Sequence, residues 1–212
     1  MKTPMLLVAA AVLMSPAAMA ADLIAPAAAP TAAAPTGGNW DGAYIGATIG
    51  YGWGTATNDG TDADPIQGAF AGGQIGYNFH LTDGVVLGVQ GDLNWNDEQG
   101  NYPSDPTETS SRINWDGAVV GRVGLDAGAL LPYLEAGVAI ANETEQYGTA
   151  IIPLDFAGWT VGGGLELKVT ENISANLEYR YADYGTQNLL SPQCCTVNLT
   201  NNTVRTGLNF HF

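Results

Sequence analysis

The last ten residues, "TVRTGLNFHF" (203–212), alternate in character without a break. Val204, Thr206, Leu208, Phe210 and Phe212 share one face of an extended strand, and Thr203, Arg205, Gly207, Asn209 and His211 share the other. A chain end in water frays, so a strand that closes on two phenylalanines is expected to rest in something apolar. The identity of that medium decides the fold.

The same alternation recurs upstream in segments 40–54, 69–80, 85–96, 112–127, 132–142, 157–169 and 173–184, with 201–212 as the eighth. Each is long enough for the roughly 9–11 residues with which a tilted strand crosses a bilayer. Tight turns, "LTDG", "GALL" and "TEN", join segments two to three, four to five and six to seven. The remaining connections, about 55–68, 97–111, 143–156 and 185–200, are long and polar. Strict alternation of short and long linkers puts all tight turns at one end of an up-and-down barrel and all long loops at the other. The expectation is an all-β, eight-stranded antiparallel transmembrane β-barrel with short periplasmic turns and long extracellular loops.

The two faces separate this from a soluble barrel, whose charges would point outward. The Phe212-type face carries Ile45, Ile49, Val89, Leu93, Val119, Val123, Leu134, Val138, Val161 and Leu165. The opposite face carries Gln90, Asp92, Arg122, Glu135, Glu166, Lys168, Glu178, Arg180 and Arg205. An eight-stranded barrel is only wide enough inside for side chains. These nine groups are therefore expected to form an ion-pair network that plugs the lumen, with a narrow gated pore as the alternative. Inward glycines Gly46, Gly76, Gly88, Gly162 and Gly164 relieve crowding there.

Trp53, Trp95, Trp115 and Trp159 all have the apolar parity, and each lies beside a long connection. With Tyr51 and Tyr181 they are expected to form an aromatic girdle at one interface, and Tyr77, Phe79, Phe210 and Phe212 a second girdle at the tight-turn end.

Composition agrees with export and excludes other classes. Residues 1–20 read as a signal peptide ending in Ala18-Met19-Ala20, residues 21–38 as an Ala/Pro-rich disordered tether, and 39–212 as the barrel domain. A formal net charge of −15 excludes nucleic acid as a partner. No apolar run in residues 40–212 is long enough for a helical span.

The opening "NWDGAYIGATIGYGWG", the later "EYRYADYG" and the closing "TVRTGLNFHF" resemble the small outer-membrane β-barrel proteins of alphaproteobacteria, the opacity-type, porin-like barrels that include outer-membrane antigens of the 25-kDa type. The resemblance covers about residues 38–212 and is weak in the long loops. It implies secretion by the general pathway, residence in the Gram-negative outer membrane, and insertion by the outer-membrane assembly machinery, with Phe212 as the terminal aromatic signal. Lipid and lipopolysaccharide are the implied surroundings, with host or phage surface molecules as partners of the loops.

Chemistry is sparse. Of the two histidines, His80 and His211, both fall at the tight-turn end with no Ser or paired acids in a motif, so no catalytic group, cofactor or metal is expected. Asp59, Asp62 and Asp64 lack the spacing of a calcium loop. Cys194 and Cys195 lie in the last long loop, where a strained vicinal disulfide, a link to another chain and metal capture all remain open. The functional expectation is a structural, surface-displayed barrel that supports the envelope; a loop-based binder of haem or a host ligand and a soluble carrier are the competing readings.

Overall fold

The computed structural model describes residues 39–58, 62–82, 84–100, 108–147, 150–191 and 194–212. Its strands are β1 (Gly42–Asn58), β2 (Asp62–Thr82), β3 (Val85–Gly100), β4 (Glu108–Leu125), β5 (Leu130–Tyr147), β6 (Ala150–Lys168), β7 (Ile173–Ser191) and β8 (Cys194–His211). Each pairs antiparallel with the next, and β1 pairs back onto β8 from Tyr44↔His211 to Asn58↔Val197, so the sheet closes on itself. Among the described residues every secondary-structure element is a strand.

The turns follow from their residues. Gly84 and Gly128 take φ of +89° and +78°, a left-handed backbone that suits glycine. Asp126 closes its own turn by accepting the Gly128 N–H at 2.8 Å, and Thr170 Oγ1 accepts the Ile173 N–H at 3.0 Å. Phe212 is held at the barrel seam, where its N–H donates to Ala43 O at 3.0 Å.

The barrel is inside-out relative to a soluble protein. Ile49, Ile75, Leu134, Val138, Leu177 and Leu208 are exposed on the outer wall, Leu134 at 66%, while Arg122, Arg180 and Arg205 are buried within. A contiguous apolar outer wall of this size is incompatible with water and matches hydrocarbon. The outward parity assigned from the alternation holds along the described strands except at the extracellular end of β4, where a register shift between Ile113 and Trp115 turns Ile113 inward and Arg112 outward.

One expectation needs correction. The connections 55–68, 97–111, 143–156 and 185–200 are largely strand rather than loop: the β1–β2 ladder runs to Asn58↔Asp62, β5–β6 to Tyr147↔Ala150, and β7–β8 to Ser191↔Cys194. The physical reason is that a hairpin projecting beyond the bilayer satisfies its own backbone, so pairing need not stop where the lipid does. Residues 1–20 and 21–38 lie outside the described residues, as do the side chains of Asp62, Asp64, Cys194 and Cys195 and all of Asp59.

Leu134 lies on the lipid wall of β5, between the β4–β5 turn and the level of Trp159, which pairs with Val138. Leu134→Arg is expected to cost about 2–4 kcal/mol in a bilayer, against a much smaller loss for Leu134→Ala. Urea unfolding of the barrel reconstituted in lipid vesicles measures both.

Candidate functional site

The lumen is built in layers from inward residues of all eight strands. At the periplasmic end the chain enters the mouth of the barrel and buries Trp40 completely. Its indole N–H donates to Gly128 O at 3.1 Å, and its ring meets that of His211 edge-on with centroids 6.0 Å apart. Lys168 belongs to this layer and not to the ion-pair network expected of it: its Nζ donates to Asn39 O at 2.6 Å and Glu171 O at 3.3 Å, 5.0 Å from the Trp40 ring.

The next layer centres on Glu166. It accepts from Arg122 Nη2 at 2.9 Å, Ser174 Oγ at 2.5 Å and Asn209 Nδ2 at 2.8 Å. Arg122 also donates to the Tyr44 hydroxyl at 2.7 Å, which in turn donates to Gln90 Oε1 at 2.7 Å. The guanidinium lies 3.8 Å from the centre of the Tyr133 ring, a cation–π contact that replaces lost hydration. Gly76 makes this layer possible, since a Cβ there would strike the Tyr44 ring.

Above it, two arginines share three acids. Arg180 reaches Asp92 Oδ2 at 2.9 Å and Glu135 Oε1 at 2.8 Å; Arg205 reaches Asp92 Oδ1 at 3.0 Å and Glu178 Oε1 at 2.6 Å. Tyr133 donates to the other Glu178 oxygen at 2.8 Å. Arg205 is 2% exposed, so its charge depends on these partners. Such a network adds little net stability over an apolar filling, but removing one member strands the others.

The extracellular end carries groups that sequence reasoning missed. Asp116 accepts from Asn94 Nδ2 at 3.1 Å and Asn96 Nδ2 at 2.6 Å, and Glu98 accepts from Asn201 Nδ2 at 3.0 Å. Asp116 shares the inward parity of Arg122, a signal that was readable. Glu98 lies within an expected loop, although it continues the inward parity of Asp92, Asn94 and Asn96 along β3. Glu98 lies beyond the Trp95 level and outside the bilayer span, yet is 1% exposed. Burial first, and the Asp116 charge second, push its carboxyl up to about 8.

Both histidines have acid neighbours that no local motif revealed. His80 Nδ1 lies 2.8 Å from Asp41 Oδ1 and its Nε2 3.0 Å from Asp126 Oδ2, on the periplasmic rim. His211 Nε2 lies 2.8 Å from Ser174 Oγ and 3.4 Å from Glu166 Oε1. This Ser–His–Glu grouping lacks the logic of a hydrolytic triad, in which the acid orients the second ring nitrogen. Here Glu166 and Ser174 crowd the same nitrogen, and His211 Nδ1 is buried with no hydrogen-bond partner.

On the outer wall, Trp53, Trp95 and Trp159 are exposed, and Trp115 is half-buried directly across from Trp95. Trp159 packs on Tyr181 with ring centroids 5.5 Å apart. Tyr77, Phe79, Phe210 and Phe212 are exposed toward the tight-turn end, the last two with rings 5.3 Å apart.

A closed antiparallel barrel with an apolar exterior and a charged, side-chain-filled interior defines the class: an outer-membrane β-barrel of Gram-negative bacteria. The chain belongs to the outer membrane protein beta-barrel domain family, whose model matches residues 7–212. It is 33% identical over 175 residues to the 25 kDa outer-membrane immunogenic protein of Brucella abortus, covering 82% of this chain and 80% of that one. It is 37% identical to a 22 kDa outer membrane protein of Rhizobium leguminosarum over 69% of this chain and 65% of the relative. Among solved structures, Neisserial surface protein A matches with a TM-score of 0.54 at 17% identity, over 80% of this chain and 97% of that one, which speaks for the fold alone. The protein therefore resides in the outer membrane.

Two outcomes follow from the lumen. Arg205→Met leaves Asp92 and Glu178 short of a partner and is expected to cost about 3–5 kcal/mol, read from denaturant unfolding in detergent. Glu98 holds its proton more tightly folded than unfolded, so the stability it contributes is complete below pH 4.5 and is lost as pH rises toward about 8. In metal-free buffer the unfolding midpoint of wild type, measured relative to Glu98→Gln, should fall across that window; a constant difference would place the titration elsewhere.

Proposed function

We propose that this protein is a non-enzymatic, surface-displayed structural barrel of the outer membrane, with its lumen plugged by side chains and its contacts with the outside made by the extracellular hairpins. The observation that carries the reading is the bridging of the barrel interior from Asp92 on β3 to Arg180 and Arg205 on the neighbouring strands β7 and β8. A stack of paired charges at that level, with the Arg122–Glu166 layer beneath it, leaves side chains where a diffusion channel would need water. The reading without catalysis is supported by the His211 geometry and by relatives named as outer-membrane and immunogenic proteins.

Lipid and lipopolysaccharide are the proposed surroundings of the outer wall, and the assembly machinery is the proposed reader of Phe212. Envelope support and contact with host or phage surfaces are the proposed roles. A loop-based receptor is the second reading, favoured by the length of the projecting ladders, such as Glu143↔Leu154 to Tyr147↔Ala150 above the Trp159 level.

Planar-bilayer recording tests the plug. The wild-type barrel should show no sustained conductance, and Asp92→Ala combined with Arg205→Ala should create brief openings. Steady wild-type currents would favour the pore. Shortening the β5–β6 hairpin between Glu143 and Leu154 should leave envelope resistance to detergent intact if the barrel is structural, whereas a receptor would lose a bound ligand with that hairpin.

A further inference from the structure

Residues 39–41 lie as a short strap over the periplasmic mouth of the barrel. The strap leaves β1 at Gly42, whose φ of +116° is a backbone that favours glycine. Asn39 Oδ1 accepts the Asp41 N–H at 3.1 Å and closes a local turn. Trp40, between them, is fully buried with its indole N–H on Gly128 O.

His80 ties this strap to the β4–β5 turn. Its backbone N–H donates to Asp41 Oδ1 at 2.6 Å, its ring Nδ1 lies 2.8 Å from the same oxygen, and its Nε2 lies 3.0 Å from Asp126 Oδ2. With its other oxygen Asp126 accepts the Gly128 N–H at 2.8 Å, on the residue whose carbonyl receives the Trp40 indole. Strap, imidazole, turn and indole therefore form one closed circuit of contacts. Of these groups the imidazole is the one whose hydrogen bonding changes near neutral pH.

An imidazolium donates from both nitrogens and serves both carboxylates. A neutral ring has one N–H and one lone pair. Whichever nitrogen keeps the proton, the other turns its lone pair on a carboxylate, and the circuit breaks at Asp41 or at Asp126. The Asp126 hydrogen bond first, and the Asp41 bond second, raise the pKa of the ring above its ordinary 6.5. The other titratable groups packed on the strap are Lys168, which donates to Asn39 O and Glu171 O, and His211, which meets the Trp40 ring edge-on. On β8, Phe212 brings a main-chain oxygen to Gly42, an acceptor that offers Asp41 no donor.

We propose that residues 39–41 are a pH-sensitive strap over the periplasmic mouth, latched by protonated His80 and loosened when His80 is neutral. The latch contributes fully below pH 6.5, and its contribution is lost as pH rises through the higher folded value. Burial of Trp40 and the Lys168 contact still favour the closed strap above that range, so the response is a larger open population and not wholesale release.

The test is hydrogen exchange of the Trp40 indole N–H, followed by NMR on the full mature barrel folded in detergent from about pH 5.5 to 8.5 and expressed as protection relative to a free indole at the same pH. Trp40→Phe assigns the resonance, the Trp159 indole on the outer wall is the internal reference, and the unboiled gel band checks that each variant folds. Wild-type Trp40 protection should fall about threefold or more across the window while that of Trp159 holds. In His80→Gln it should stay flat, and in Asp126→Asn the fall should move to lower pH. Constant protection in wild type would overturn the proposal, as would an unchanged midpoint in Asp126→Asn. An equal fall in His80→Gln would overturn it by placing the titration at His211, and a parallel fall at Trp159 by showing that the whole barrel opens.

Discussion

Closure is the constraint on which everything else depends. In hydrocarbon an unpaired backbone N–H or C=O finds no water, so an open sheet edge cannot persist. The β1–β8 seam removes both edges at once, running through Ile45↔Phe210 and Ile49↔Thr206. Once the sheet is closed, each strand has one face toward lipid and one toward a narrow interior, and side-chain alternation becomes a choice between two media. The outer wall takes Ile, Val and Leu. The inner wall must then hold whatever polar groups the strands carry, in a space too narrow to hydrate them freely.

That narrowness explains the residue sizes within. Large inward groups such as Tyr44, Tyr133, Arg180 and Arg205 fill the lumen, and glycines provide the room for them. Charge is tolerated because it is shared: Asp92 serves two guanidinium groups and Glu166 serves a guanidinium, a hydroxyl and an amide. The interior is therefore ordered by hydrogen-bond valence as much as by volume, and the layers differ in how fully that valence is met. The arginine layers are well supplied with donors; the Glu98–Asp116 end is not.

Much of this was legible in the chain. Strand number, closure and facing depend on period-two alternation and on the rhythm of short and long connections, both local properties. Arg122, Arg180 and Arg205 could be placed inside from parity alone. Their partners could not: Arg180 meets Asp92 across the lumen, a contact 88 residues apart in sequence that depends on strand stagger. Parity groups Lys168 with the other charges, yet its position at the end of β6 brings it to backbone carbonyls at the mouth. Polar composition hides the extracellular hairpins, because it signals solvent exposure, which a paired ladder tolerates as well as a loop does. The acids near His80 and the Ser near His211 come from other strands and turns, and no local motif announces them.

Trp40 has a kinetic consequence. Its indole touches the β4–β5 turn at Gly128, Lys168 at the end of β6 and His211 near the end of β8, so its partners converge only when first, middle and last elements have met. A contact that needs all three is expected to form late and not to nucleate folding. It is gained on the downhill side. Its energy then acts on the rate of opening more than on the rate of insertion, and the buried ring lengthens the life of a completed barrel.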